Sequence, residues 1–130
     1  MTLTLKKAVL PELLKNGYHG VFPYFRKEDN KTYKFITFQF NLHGGSFTVE
    51  LASSENLESD LPDFLKKEPF EKIEARFLPI GNRHRLNSPK TEDKWFHYEN
   101  LSNNFEFNLV AQEVLEALKM EEQFYKKSNL

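Results

Sequence analysis

Two short segments carry the side chains best suited to gripping an anion. Arg83-His84-Arg85 places guanidinium groups at alternate positions, and Trp95-Phe96-His97 adds an indole and an imidazole. Alternate residues on a strand share a face, so Arg83 and Arg85 are expected to point together while His84 points away. A guanidinium fork fits a carboxylate or phosphate, and a planar group stacks on an indole. If the two segments pair across the loop at 87–93, then Arg85 and Trp95 belong to one surface, with Arg83 or His97 at its rim. The plainer reading is an arginine packed over an aromatic ring and satisfying a carboxylate, and base rates favour it.

The other polar constellations are weaker. Gln39 and Asn41 alternate with apolar residues, which usually means a wetted sheet face. Joined by Arg26, Thr48 and Glu50, they would instead form a polar binding floor. A metal site from His84 and His97 would need facing strands and a carboxylate such as Glu99 or Glu74, and the spacing matches no ligand motif; no metal is expected. His19 and His43 sit beside turn glycines and are expected in solvent. Glu55, Glu58, Asp60 and Asp63 cluster without the ordering of a calcium loop, so a solvated loop is expected. No serine has a recognisable base, and no glycine-rich phosphate loop occurs, so no residue is assigned a catalytic role and no cofactor is implied.

The elements that must position these residues follow from periodicity. Residues 3–16 read as a helix with a kink or a fresh start at Pro11, ended by Gly17. A three-stranded antiparallel meander is expected over 20–52. Its first strand covers 21–26, and a turn at 27–31 leads to the second at 32–42, with Ile36, Phe38, Phe40 and Leu42 inward. Gly44-Gly45 then supplies the positive-φ residues of a tight hairpin, and Phe47, Val49 and Leu51 continue the inner face. A short helix is expected near 61–67. Residues 70–80 alternate as a further strand, and 83–86 and 94–98 give two more. A helix over 103–126, capped by Ser102 or Asn103, would turn Phe107, Val110, Ala111, Val114, Leu118 and the stretch from Glu121 to Phe124 inward, with Lys126 and Lys127 at its negative end. The fold class is α+β: a curved antiparallel sheet of about five or six strands, packed on one face by an N-terminal and a long C-terminal helix.

Composition sets the outer limits. The 130 residues fit one domain over 1–130. The net charge of −1 gives the whole chain no pull toward nucleic acid or anionic lipid. Cysteine is absent, which removes disulfide and thiol chemistry. No apolar run approaches a signal core or a membrane span, so a cytoplasmic protein is expected.

Several residues in order resemble a known family. Val9-Leu-Pro-Glu-Leu-Leu-Lys-Asn-Gly-Tyr18, Phe25-Arg26, Phe38-Gln39, the Arg-x-Arg-Leu at 83–86 and the Trp-aromatic pair at 95–96 look like the bacterial family called domain of unknown function 4304. That pattern has Gly and a second Trp where Asn87 and Phe96 stand. The resemblance covers nearly the whole chain; it supports the fold and brings no activity. The leading expectation is a non-enzymatic binding or interaction domain. The alternative is a small enzyme or ligand-binding protein using Arg83, Arg85, Trp95 and His97, with Gln39 and Arg26, for an anionic ligand. The partner would be a protein or a small anion, not a membrane, and single-stranded nucleic acid is disfavoured because the aromatics alternate inward.

Overall fold

Asn30 and Lys31 both hold positive φ, at 49° and 69°, the geometry a two-residue hairpin loop requires. They join β2 (Tyr24–Asp29) to β3 (Thr32–Phe40). Gly44 and Gly45, at φ 80° and 82°, close a longer loop, residues 41–45, between β3 and β4 (Ser46–Ser54). A computed structural model of the chain describes residues 1–89 and 93–128, with side chains described up to Glu121. It is an open, curved antiparallel sheet in the order β1-β2-β3-β4-β5, with β6 also paired to β4. The short strands are β1 (His19–Val21), β5 (Arg83–Arg85) and β6 (Phe96–His97). No helix among the described residues is long and apolar enough to cross a membrane.

The first expected strand is split. β1 and β2 form their own hairpin through a cis Phe22–Pro23 peptide, so the meander has four strands. The N-terminal helix is also two: α1 (Thr2–Ala8) and α2 (Leu10–Lys15), broken at Val9, with Pro11 in the first turn of α2 where its missing N–H costs nothing.

The alternation of β3 and β4 decides which face is the core. Ile36, Phe38, Phe47, Val49 and Leu51 are buried under α1, α2 and α4 (Asn104–Ser128), against Leu5, Val9, Val110, Ala111, Val114 and Leu118. The α4 cap is Asn103: its Oδ1 accepts from the Glu106 N–H at 2.9 Å. Phe40 is only half-buried, and Leu42, expected inward, is 94% exposed. The reason is local. β3 ends at Phe40, and Asn41 closes the hairpin loop by accepting from the His43 N–H. The expected inward Phe124 and the basic pair Lys126 and Lys127 lie outside the described side chains, and residues 90–92 of the 87–93 loop lie outside the described residues.

The expected strand at 70–80 is absent; 3-10 turns at Phe70–Lys72, Ala75–Phe77 and Ile80–Asn82 stand there, following an earlier one at Asp63–Leu65. Pro62, Pro69 and Pro79 each precede one of these turns, and a proline cannot donate to a strand ladder. The expected helix at 61–67 is likewise a 3-10 turn, preceded by α3 (Leu57–Asp60) under an Asn56 cap. This segment folds over the second face of the sheet, where Phe35 and Ala52 pack with Leu61, Leu65, Ile73, Ala75 and Leu78. The face expected to be wholly polar is therefore half covered, and only its other half is open.

Candidate functional site

The open half is built along one edge of β4. β5 pairs with Glu50–Ala52 and β6 with Ser46–Phe47. The two strands are not paired across their loop, the pairing considered from sequence; both lie end to end on β4 instead. The Leu86 N–H donates to the Val49 carbonyl at 2.9 Å, extending β5. Thr48 donates its hydroxyl to the Lys94 carbonyl at 2.6 Å, holding the entry to β6.

This placement brings Arg85 and Trp95 together, with the guanidinium carbon 5.4 Å from the ring centroid. The register sets Arg85 opposite Glu50 and Arg83 opposite Ala52, with His84 on the other face. Glu50 lies between the arginines. Its Oε1 is 3.4 Å from Arg83 Nη1 and its Oε2 is 3.9 Å from Arg85 Nε. The second distance is too long for a hydrogen bond. Among the described residues Arg85 has no hydrogen-bond partner, and Arg83 Nε is buried without one. Two guanidinium groups thus share one carboxylate, and the Arg85 side chain is 37% exposed.

The remaining candidates separate. Gln39 is exposed and lies opposite Thr48, one row along the same face from Thr37 and Glu50. His97 is on this face too, opposite Ser46. Its Nε2 meets Asp93 Oδ2 at 2.8 Å, while Asp93 Oδ1 accepts from the Trp95 N–H at 3.2 Å. The hydrogen bond from His97, and then the one from Trp95, hold the Asp93 carboxyl below the usual aspartate range. His97 therefore braces the turn that presents Trp95.

Arg26 is not part of the open surface. It is 5% exposed, and its Nε and Nη2 donate to the Ile73 carbonyl at 3.3 and 3.0 Å. Burial lowers its pKa, opposed by Glu71 and Glu74. The expected floor loses two more members. Thr48 is fully buried, and Asn41 is spent on the hairpin loop. The His84–His97 metal pairing fails because the two rings lie on opposite faces. His84 reaches Glu121 on α4 at 3.1 Å. No group of three possible ligands is found among the described residues. In the acidic cluster, Asp60 accepts from Ser54 and Asn82. Asp63 pairs with Lys66 at 2.9 Å, and that hydrogen bond lowers its pKa.

A family model described as a domain of unknown function, DUF4304, matches residues 9–123. The chain belongs to the DUF4304 family. No curated protein and no solved structure matches it. The matched span of this DUF4304 domain takes in all six candidate residues. Sequence reasoning placed Glu50 on the polar face but missed its position between both arginines; only the β4–β5 register reveals it. A groove of about 920 Å³ on the helix-bearing face was missed as well, and none of the six residues lines it.

Proposed function

We propose that this DUF4304 domain is a non-catalytic binding domain, and that the Arg83–Arg85–Trp95 face takes a carboxylate or phosphate group of its partner. One observation carries the reading: the Arg85 guanidinium carbon sits 5.4 Å from the Trp95 ring centroid, its donors make no hydrogen bond among the described residues, and the Glu50 carboxylate beside it is shared with Arg83. The cation–π contact with the indole restricts the side chain in advance, so less of its freedom is lost when an anion docks on the guanidinium. Gln39, exposed on β3 beyond β4 and one row along, adds a neutral donor only for a ligand long enough to cross that strand. The surface is an open sheet face, which suits a group presented by a larger partner as well as a free anion.

Binding is favoured over catalysis by what the polar groups already do. Glu50 neutralises arginine, His97 is held by Asp93, and Thr48 is committed to a backbone carbonyl. Thermal-shift screening against phosphate, pyrophosphate and citrate tests the reading. A ligand-dependent rise in melting temperature is expected for the wild type and not for a folded Arg85→Lys variant. An equal rise in both proteins, or none in either, would overturn it.

A further inference from the structure

β5 ends the strand order, so one side of it faces away from β4. Which backbone groups point that way follows from the ladder. The Leu86 N–H donates to the Val49 carbonyl at 2.9 Å, and the register sets His84 opposite Leu51. Hydrogen-bonded residues alternate with unbonded ones along an antiparallel pair. His84 and the Leu86 N–H therefore turn toward β4, while Arg83 and Arg85 turn their backbone groups outward. The Arg83 N–H is taken by the Ile80 carbonyl. The Arg83 carbonyl and both backbone groups of Arg85 have no partner among the described residues. The Arg85 N–H and C=O thus lie open at the sheet edge, beside the guanidinium of the same residue.

Given the anion-binding face proposed above, on which this rests, we infer that the partner is a protein with an extended acidic segment. The segment adds to β5 as an antiparallel strand and places a Glu or Asp side chain opposite Arg85. A residue that exchanges both hydrogen bonds with the Arg85 backbone lies directly across from it, and side chains directly across a ladder share a face. That side chain is set beside the Arg85 guanidinium and Trp95. Charge selects an acid there: Arg83 and Arg85 share the Glu50 carboxylate, which leaves one positive charge in surplus. The residues on either side of the acid point to the opposite face, with His84. Main-chain bonds to an open edge supply affinity, and the alternate side chains supply specificity. A short edge strand bearing charge also repels unwanted strands; an acid opposite Arg85 turns that repulsion into selection.

The test is titration calorimetry of the full chain with the peptide acetyl-Ser-Thr-Val-Glu-Val-Thr-Ser-amide and two altered forms. One carries Gln in place of Glu and lacks the charge. The other carries a methyl group on the Glu backbone nitrogen and cannot donate to the Arg85 carbonyl. Each altered peptide is expected to bind roughly tenfold more weakly than the parent. Arg85→Gln is expected to bind the Glu and Gln peptides equally; the peptide pair decides the matter alone if that variant does not fold. Hydrogen exchange at the Arg85 amide is expected to slow roughly tenfold when the parent peptide binds. Equal binding of the methylated peptide, with Glu still preferred over Gln, would overturn strand addition and leave the anion-binding face standing. So would no binding of the parent peptide in a protein that phosphate still stabilises through Arg85. Equal binding of the Gln peptide would overturn the acidic partner, and a dimer of the free chain that Arg85→Gln dissolves would make a second copy the occupant instead.

Discussion

The Arg26 guanidinium grips the backbone carbonyl of Ile73 with two hydrogen bonds across 47 residues of sequence. It ties the 3-10 segment to the sheet, and the segment in turn covers Phe35 and Ala52. Replacing Arg26 by Met removes a charged donor pair and leaves a buried carbonyl unpaired, at a cost of roughly 1.5–3 kcal/mol. Chemical denaturation should show that loss, and anion binding at Arg85 should persist in the folded fraction. A variant as stable as the wild type would refute the clamp.

Thr48→Val isolates the support of Trp95. The side chain keeps its shape in a fully buried site but loses the donor to the Lys94 carbonyl. A loss of about 1–3 kcal/mol is expected, with a changed indole environment in the fluorescence spectrum. An unchanged spectrum and midpoint would show that the bond holds nothing.

The two hairpin glycines should differ. Both have positive φ, so alanine at either costs about 1–2 kcal/mol. A Cβ on Gly45 would also come within 3.2 Å of the Glu99 side chain, whereas one on Gly44 meets nothing within 4 Å. Gly45→Ala should therefore melt lower than Gly44→Ala; the reverse order would contradict the loop geometry.

Asp93 gives a pH signature. Its folded pKa lies below its unfolded value, chiefly through the His97 hydrogen bond. Its contribution to stability is thus fully present above the ordinary aspartate pKa of about 3.9, and it is lost as the pH falls through the folded value. Carbon-13 NMR of the carboxyl should place its midpoint below that ordinary value in the wild type and closer to it in His97→Ala. Identical midpoints would remove His97 from the bracing role.

Much of this was legible in the chain. Period-two patterning around Gly44-Gly45 located the central hairpin and its core face, because a buried face punishes any slip in register. The alternation of Arg83 and Arg85 about His84 likewise set their shared direction. What was not legible depended on contacts distant in sequence. Thr48 and Arg26 look like solvated positions until β6 and the 3-10 segment arrive over them. Residues 70–80 alternate like a strand, yet successive 3-10 turns bury Ile73, Ala75 and Leu78 just as well. The prolines at 62, 69 and 79 were the available signal against a strand.

The account stands most directly on phosphate titration followed by proton–nitrogen NMR. Saturable shifts are predicted at the Trp95 indole N–H and at the Arg83 and Arg85 backbone amides, with none at the groove residues Lys15 and Lys119, and the shifts should vanish in a folded Arg85→Lys variant. Shifts that never saturate, that appear elsewhere, or that survive in the variant would contradict an anion site on the Arg85–Trp95 face.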